Sequence, residues 1–311
     1  MESIDASSSN VILCILAISI LLATIGIVCY VFQPALGQKP FDRDNIIQEQ
    51  LHVASSNDIA GSNAMDRAYL LSLIIPAYNE EERLPPMLTS TIEYLHSNKD
   101  TIMQQCYEAL QIKTAAAGDD TDIKHHCPFQ IIIVNDGSSD ETVKSIQDIL
   151  QNDYHKKKDI NQAISIKLLT LKQNSGKGAA VKAGMLHSKS KLSLMLDADG
   201  ATTFSSLHSL LQQMKSSKAC IAFGSRAHLQ ENSKAQRSLV RTLLMNAFHF
   251  FVEALIGGEI CDTQCGFKLF RGEVVRGLFG NLHLQRWAFD TELVVIAERL
   301  GFGIVEVGVE W

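Results

Sequence analysis

Four short clusters of acidic, amide and glycine residues follow apolar runs in this 311-residue chain. The first is Pro76-Ala77-Tyr78-Asn79-Glu80-Glu81 and the second Asn135-Asp136-Gly137-Ser138-Ser139-Asp140. Asn174-Ser175-Gly176-Lys177-Gly178 follows a third run, and Asp197-Ala198-Asp199-Gly200 a fourth. Taken singly, an Asp at such a place is a helix cap, and Asp-Gly is a turn. Asp197 and Asp199 carry sharper chemistry. Two carboxylates around one bend offer hard oxygen ligands to Mg²⁺ or Mn²⁺ bridging a diphosphate, whose own oxygens help complete the shell. A P-loop kinase or ATPase is excluded, because Gly176-Lys177-Gly178 lacks the leading glycine and the hydroxyl residue of GxxxxGK[ST]. The GxGxxG of a nicotinamide enzyme is missing as well.

Such residues need a frame that brings their clusters together. LSLIIPAY (71–78), QIIIVND (130–136), SIKLLTL (165–171), LSLMLDADG (192–200) and ACIAFGSR (219–226) read as buried strands. Helical stretches fall between them, among them GKGAAVKAGMLHS (176–188) after its glycine-rich turn. Strand–helix alternation at this spacing predicts an open, mostly parallel α/β sheet flanked by helices. In such sheets ligands bind outside the carboxyl ends of the strands, which is where all four clusters fall. Residues 97–128 are polar, carry Asp119-Asp120-Thr121-Asp122, and predict a surface insertion rather than core. Residues 33–68 predict a linker with one short helix around 46–53.

With 46% apolar residues, 20% charged residues and a net charge of −6, the chain is neither disordered nor built for nucleic acid. Seven cysteines, an odd number scattered widely, predict free thiols in a reducing compartment. His125-His126-Cys127 has no second ligand pair at zinc spacing. Residues 11–32 (VILCILAISILLATIGIVCYVF) are uncharged and, at about 1.5 Å per residue, reach roughly 33 Å, enough to span a bilayer core. The preceding residues lack Lys and Arg and the run exceeds a signal-peptide core, so a retained anchor is expected. Lys39 and Arg43 follow the span, while Glu2 and Asp5 precede it. The positive-inside rule then puts residues 1–10 in the lumen and residues 69–311 in the cytosol.

In order, PAYNEE, VNDGSSDET, NSGKGAAVKAG, DADGATT, FGSR, DTQCGFKLF and RWAFDTEL resemble the inverting GT-A glycosyltransferases of the family-2 type. The resemblance covers roughly residues 70–311 and is nearest to the branch that moves glucose from UDP-glucose to dolichyl phosphate. It implies a GT-A (Rossmann-like) domain, Mg²⁺ or Mn²⁺, and a place in the endoplasmic reticulum membrane, making the glucolipid for lipid-linked oligosaccharide assembly in N-glycosylation. Pro76, Tyr78, Glu80 and Asp136 would line the uridine pocket, with Lys177 near the nucleotide. Asp197 would lie near ribose or metal, and Asp199 would be the principal metal ligand. Related mannosyl-transferring enzymes place Gln two residues after the second Asp, where this chain has Ala201.

The acceptor side is implied in the same way. Residues 239–256 are mostly apolar but broken by Arg241, Asn246, His249 and Glu253. They make a poor spanning helix; a buried core helix and an interfacial helix both fit, and the resemblance favours the interfacial one. Arg226, Arg237 and Arg241 are candidates for the acceptor phosphate, since guanidinium forks match its geometry. Asp262, Asp290 and Glu292 are the candidate catalytic carboxylates, the last two standing where inverting relatives place theirs, although the start of a helix accounts equally well for one of them. His283 replaces the Gln of the Gln-x-x-Arg-Trp motif of processive synthases, which disfavours polymer synthesis. Two alternatives stay open: mannosyl transfer from GDP-mannose, or a nucleotide-sugar-binding membrane protein without turnover.

Overall fold

Runs rich in Ile, Leu and Val, too short for buried helices and bounded by turn residues, become strands covered on both faces. The computed structural model describes residues 46–47, 69–112, 127–151, 163–227 and 260–311. The expected anchor at 11–32, most of the linker, and the expected interfacial helix at 239–256 lie outside the described residues. No described helix is long and apolar enough to cross a membrane.

In chain order the elements are β1 (Ile46–Ile47), β2 (Tyr69–Ala77), α1 (Leu84–Ser97), α2 (Lys99–Ala109), β3 (Phe129–Asn135), α3 (Thr142–Ile149) and β4 (Ile164–Leu171). They continue as α4 (Lys177–His187), β5 (Ser190–Met195), α5 (Leu207–Ser217), β6 (Ile221–Ser225), β7 (Lys268–Arg271), α6 (Gly272–Gly280), α7 (Phe289–Arg299) and β8 (Ile304–Gly308). One sheet runs in the order β1-β4-β3-β2-β5-β7-β6-β8. β4, β3, β2 and β5 are parallel neighbours, as are β6 and β8. β7 lies antiparallel between β5 and β6, and β1 antiparallel beside β4. Six of the eight described strands, β2 to β6 and β8, thus run the same way, and the sheet is mostly parallel as expected, made mixed by β1 and β7. The short helix expected around 46–53 is corrected at Ile46–Ile47, which pair as strand with Leu171 and Thr170.

Alternation along β2 sorts its side chains to two sides. Leu71, Leu73 and Ile75 join one core with Leu88 and Ile92 of α1, Ile102 and Cys106 of α2, and Leu210 and Met214 of α5. Ile74 joins the other with Val181 and Met185 of α4, Val274 and Leu278 of α6, and Leu293 and Val294 of α7. Ile102, Cys106 and Ala109 are wholly buried, so the segment read as a surface insertion begins as a core helix. Its acidic stretch lies outside the described residues.

The chain moves from β2 through β3 to β4 on one side, then returns to place β5 on the other side of β2. Chain direction across the sheet therefore reverses at β2, and the crevice beyond its carboxyl end is a topological switch point. Register holds the strand ends level there, with Ala77 opposite Asn135 and Ile74 opposite Met195.

Candidate active site

A cavity of about 470 Å³ opens at that switch point. Pro76, Tyr78 and Glu80 reach it from the end of β2, Asp136 from the end of β3, and Asp197 and Asp199 from beyond β5. Gly176 and Lys177 enter from the turn before α4. Every residue expected to bind the nucleotide sugar thus lines one space. Arg83, Asn174, Arg286 and Trp287 line it too.

The loops that carry these residues are laced to one another. Asn79 takes a left-handed backbone (φ 55°), and its amide donates to Ser138 Oγ while its side-chain oxygen accepts from the Ser139 amide. The Glu80 amide donates to Thr142 Oγ1, the Glu81 amide to Asp140, and the Glu141 amide to Glu81. Glu80 is thereby held at the cavity edge. One of its oxygens pairs with Arg83 at 2.7 Å; the other, Oε2, is buried without a partner. Burial pushes its carboxyl up; Arg83 opposes this, while Asp199 and Asp140 add to it.

Asp136 is placed differently from a freely presented base acceptor. Its two carboxylate oxygens accept from the Ser175 and Gly176 amides at 2.7 and 2.8 Å, tying β3 to the turn before α4. Only its remaining lone pairs face a ligand. Burial pushes this carboxyl up, partly offset by those amides and by Arg286. Gly176, at φ 99°, has a backbone that disfavours side chains, and a Cβ there would meet the Gln285 carbonyl and the Arg286 side chain.

Asp197 and Asp199 line both this cavity and a smaller one of about 70 Å³, which also touches Ala201, Thr202, Arg226, Gly266 and Trp311. Lys177 pairs with Asp197 at 2.7 Å. Asp199 accepts from the Ala201 amide at 3.0 Å. A Cβ on Gly266 would collide with the Asp197 carboxylate, so glycine is the residue that lets that carboxylate stand there. No three-residue cluster of His, Cys, Asp or Glu suited to a metal occurs among the described residues. Two carboxylates could hold a hard cation only if water and ligand oxygens filled its other positions.

Three expected catalytic carboxylates take structural partners. Asp262 grips Arg226 through two guanidinium contacts of 2.8 and 3.1 Å and the Arg226 amide at 3.0 Å. Burial pushes Asp262 up, but Arg226, with a smaller pull from Lys268, more than reverses this and leaves it below the usual carboxylate range. Arg226 stacks 5.4 Å from the Trp311 ring and faces the smaller cavity. Glu292 accepts from the His283 and Leu284 amides and fixes that turn. Asp290, 3% exposed, pairs with Lys268 at 2.5 Å. Neither Asp290 nor Glu292 lines either cavity. Arg237 and Arg241 lie outside the described residues.

Arg83 had a local signal, the three-residue spacing from Glu80 that suits one helical turn. Arg286 and Trp287 had none beyond their motif: only tertiary folding carries them to α4.

The sequence that builds this sheet and its acidic strand ends matches the model of glycosyl transferase family 2 over residues 72–279. The chain belongs to that family and is a glycosyltransferase. It is 39% identical over 257 residues to the dolichyl-phosphate beta-glucosyltransferase of Dictyostelium discoideum, covering 81% of this chain and 69% of that one. The Mus musculus enzyme of the same name is 40% identical over 248 residues, covering 78% and 67%. That of Saccharomyces cerevisiae is 33% identical over 257 residues, covering 79% and 68%. Among solved structures, Mycobacterium tuberculosis glucosyl-3-phosphoglycerate synthase in complex with uridine-diphosphate aligns with a TM-score of 0.45 and 15% identity, covering 78% and 72%.

Proposed function

We propose that this protein transfers glucose from UDP-glucose to dolichyl phosphate with inversion, forming dolichyl β-D-glucosyl phosphate at the endoplasmic reticulum membrane. One observation carries the reading: Tyr78, Glu80, Asp136, Lys177, Asp197 and Asp199 line one cavity at the switch point. The named relatives supply donor and acceptor. The product would serve lipid-linked oligosaccharide assembly in N-glycosylation. Residues 11–32 would anchor the chain, with its amino terminus lumenal and the catalytic domain cytosolic.

The cavity suggests how the donor is held. Tyr78, 44% exposed, offers a ring face for the base, and the unpartnered Glu80 Oε2 an acceptor for a base or ribose proton. The diphosphate would meet the amino-terminal end of α4, where Lys177 and the helix amides favour negative charge. Asp199 and Asp197 would hold Mg²⁺ or Mn²⁺, which when bound neutralises charge on the leaving diphosphate. Arg226 lines the smaller cavity together with these carboxylates, and its guanidinium would meet the acceptor phosphate there.

Transfer is then a direct displacement. A phosphate oxygen of the acceptor bonds to the anomeric carbon as the bond from that carbon to the UDP oxygen breaks, turning α into β. The acceptor monoester, with a second pKa of about 6, is mostly dianionic at neutral pH and needs little help from a base. The test is UDP release with and without a polyprenyl phosphate. Release that depends on the lipid supports transfer; tight UDP binding with no lipid-dependent release would contradict it.

A further inference from the structure

Lys268 is wholly buried, in the middle of a mixed sheet, a place where an ammonium is seldom found without compensation. Its Nζ donates to Asp290 Oδ1 at 2.5 Å and to the Cys265 carbonyl at 2.5 Å, and sits 5.0 Å from the Phe223 ring centre. Stability is a weak reason to keep such a pair. Apolar residues of similar volume often serve a fold equally well, because desolvating two charges offsets their attraction.

What the pair joins is more telling. Cys265 precedes Gly266, the residue against which the Asp197 carboxylate is seated. Asp290 opens α7, and Lys177 and Asp197 both act on it electrostatically. Phe289, beside it, and the Leu284 carbonyl press so closely on Gly178 of α4 that a Cβ there would meet both within 3 Å. Lys268 therefore ties the turn behind Asp197 to the helix end packed beneath Lys177. The charged and titratable groups that feel it are Asp290, Asp262 and Cys265.

We propose that Lys268 is a positioning residue for the transfer reaction: by fixing Asp290 and the Cys265–Gly266 turn together, it sets how Asp197 stands relative to Lys177. The inference rests on the transfer reading above. Displacement at that place affects the phosphate end of the donor, where charge changes during reaction, and spares the base end at Tyr78 and Glu80. Misplacement of about 1 Å at a reacting centre can cost about 100-fold in rate.

The experiment compares wild type, Lys268→Met, Asp290→Asn and the double variant for kcat, KM for UDP-glucose, UDP affinity by calorimetry, and thermal midpoint. Each single variant leaves one buried charge unpaired, so both lose stability. The double variant removes both charges. The proposal expects it to regain the thermal midpoint and bind UDP normally, with kcat still down about 10–100-fold. A double variant with wild-type kcat would overturn it, since the pair would then serve only the fold. Lys268→Gln with Asp290→Asn provides a second neutral pair able to hydrogen-bond, read in the same way. If neither double variant folds, the pair is structural and the proposal fails. Wild type that makes no glucolipid from UDP-glucose would instead sink the transfer reading, whatever the variants do.

Discussion

At the scale of single residues, the site divides its carboxylates by what each has left to offer. Asp199 has one backbone contact and faces both cavities, whereas Asp262 is committed to Arg226 and Asp290 to Lys268. On the proposed reading Asp199 would hold the cation at the leaving group, so Asp199→Ala is expected to lower kcat about 10²–10³-fold. Asp290→Asn is expected to cost less, because a dianionic acceptor needs no strong base. Parallel turnover and UDP-binding assays check the order; a larger loss for Asp290→Asn with UDP binding intact would contradict it. Asp262 gives a pH signature. Its folded pKa lies below the unfolded value of about 3.9, so its stabilising contribution is complete above about pH 4 and is lost as pH falls through the folded value. Asp262→Asn should lower stability at neutral pH by about 1.5–3 kcal/mol, a thermal midpoint shift of roughly 3–12 °C. Near about pH 3 the gap to wild type should narrow. A gap independent of pH would mean that Arg226 and Asp262 do not act as a charge pair.

At the scale of elements, function depends on how strand ends are fastened to one another. Asp136 clamps the turn that starts α4, and through it Lys177. Asp136→Ala leaves two amides without their charged acceptor. It should cost about 1.5–3 kcal/mol in stability and raise KM for UDP-glucose more than it lowers kcat. Unfolding curves and initial rates test this; an unchanged KM would separate the clamp from donor binding. The strands carrying the site were legible in the sequence because their apolar runs end abruptly in glycine and acidic residues. β2, β3 and β4 begin and end within two residues of the expected spans. Less legible was α2, whose buried Ile102, Cys106 and Ala109 stand at helical spacing among charged and amide neighbours that masked the stripe. The ion pairs were not legible at all. Arg226 and Asp262 are 36 residues apart, and Lys268 and Asp290 22, with no periodic signal joining either pair. The 36-residue gap hid the partner of Asp262, while Glu292 holds amides only eight and nine residues away in an irregular turn; composition alone presents both as available carboxylates.

At the scale of the molecule, two cavities share Asp197 and Asp199 in their linings. On the proposed reading the larger, lined by Tyr78, Arg83, Arg286 and Trp287, would take the nucleotide diphosphate sugar, and the smaller, with Arg226 beside Trp311, the acceptor phosphate. A two-substrate transferase needs this arrangement, with the bond exchanged between the two spaces. The central claim is that glucose from UDP-glucose passes to dolichyl phosphate. It is tested most directly by incubating the detergent-solubilised protein with Mg²⁺, dolichyl phosphate and, in parallel, UDP-glucose or GDP-mannose, and following lipid-linked sugar. Glucolipid from UDP-glucose, with none from GDP-mannose, is the predicted result; mannolipid, or no lipid product from either donor, would contradict it.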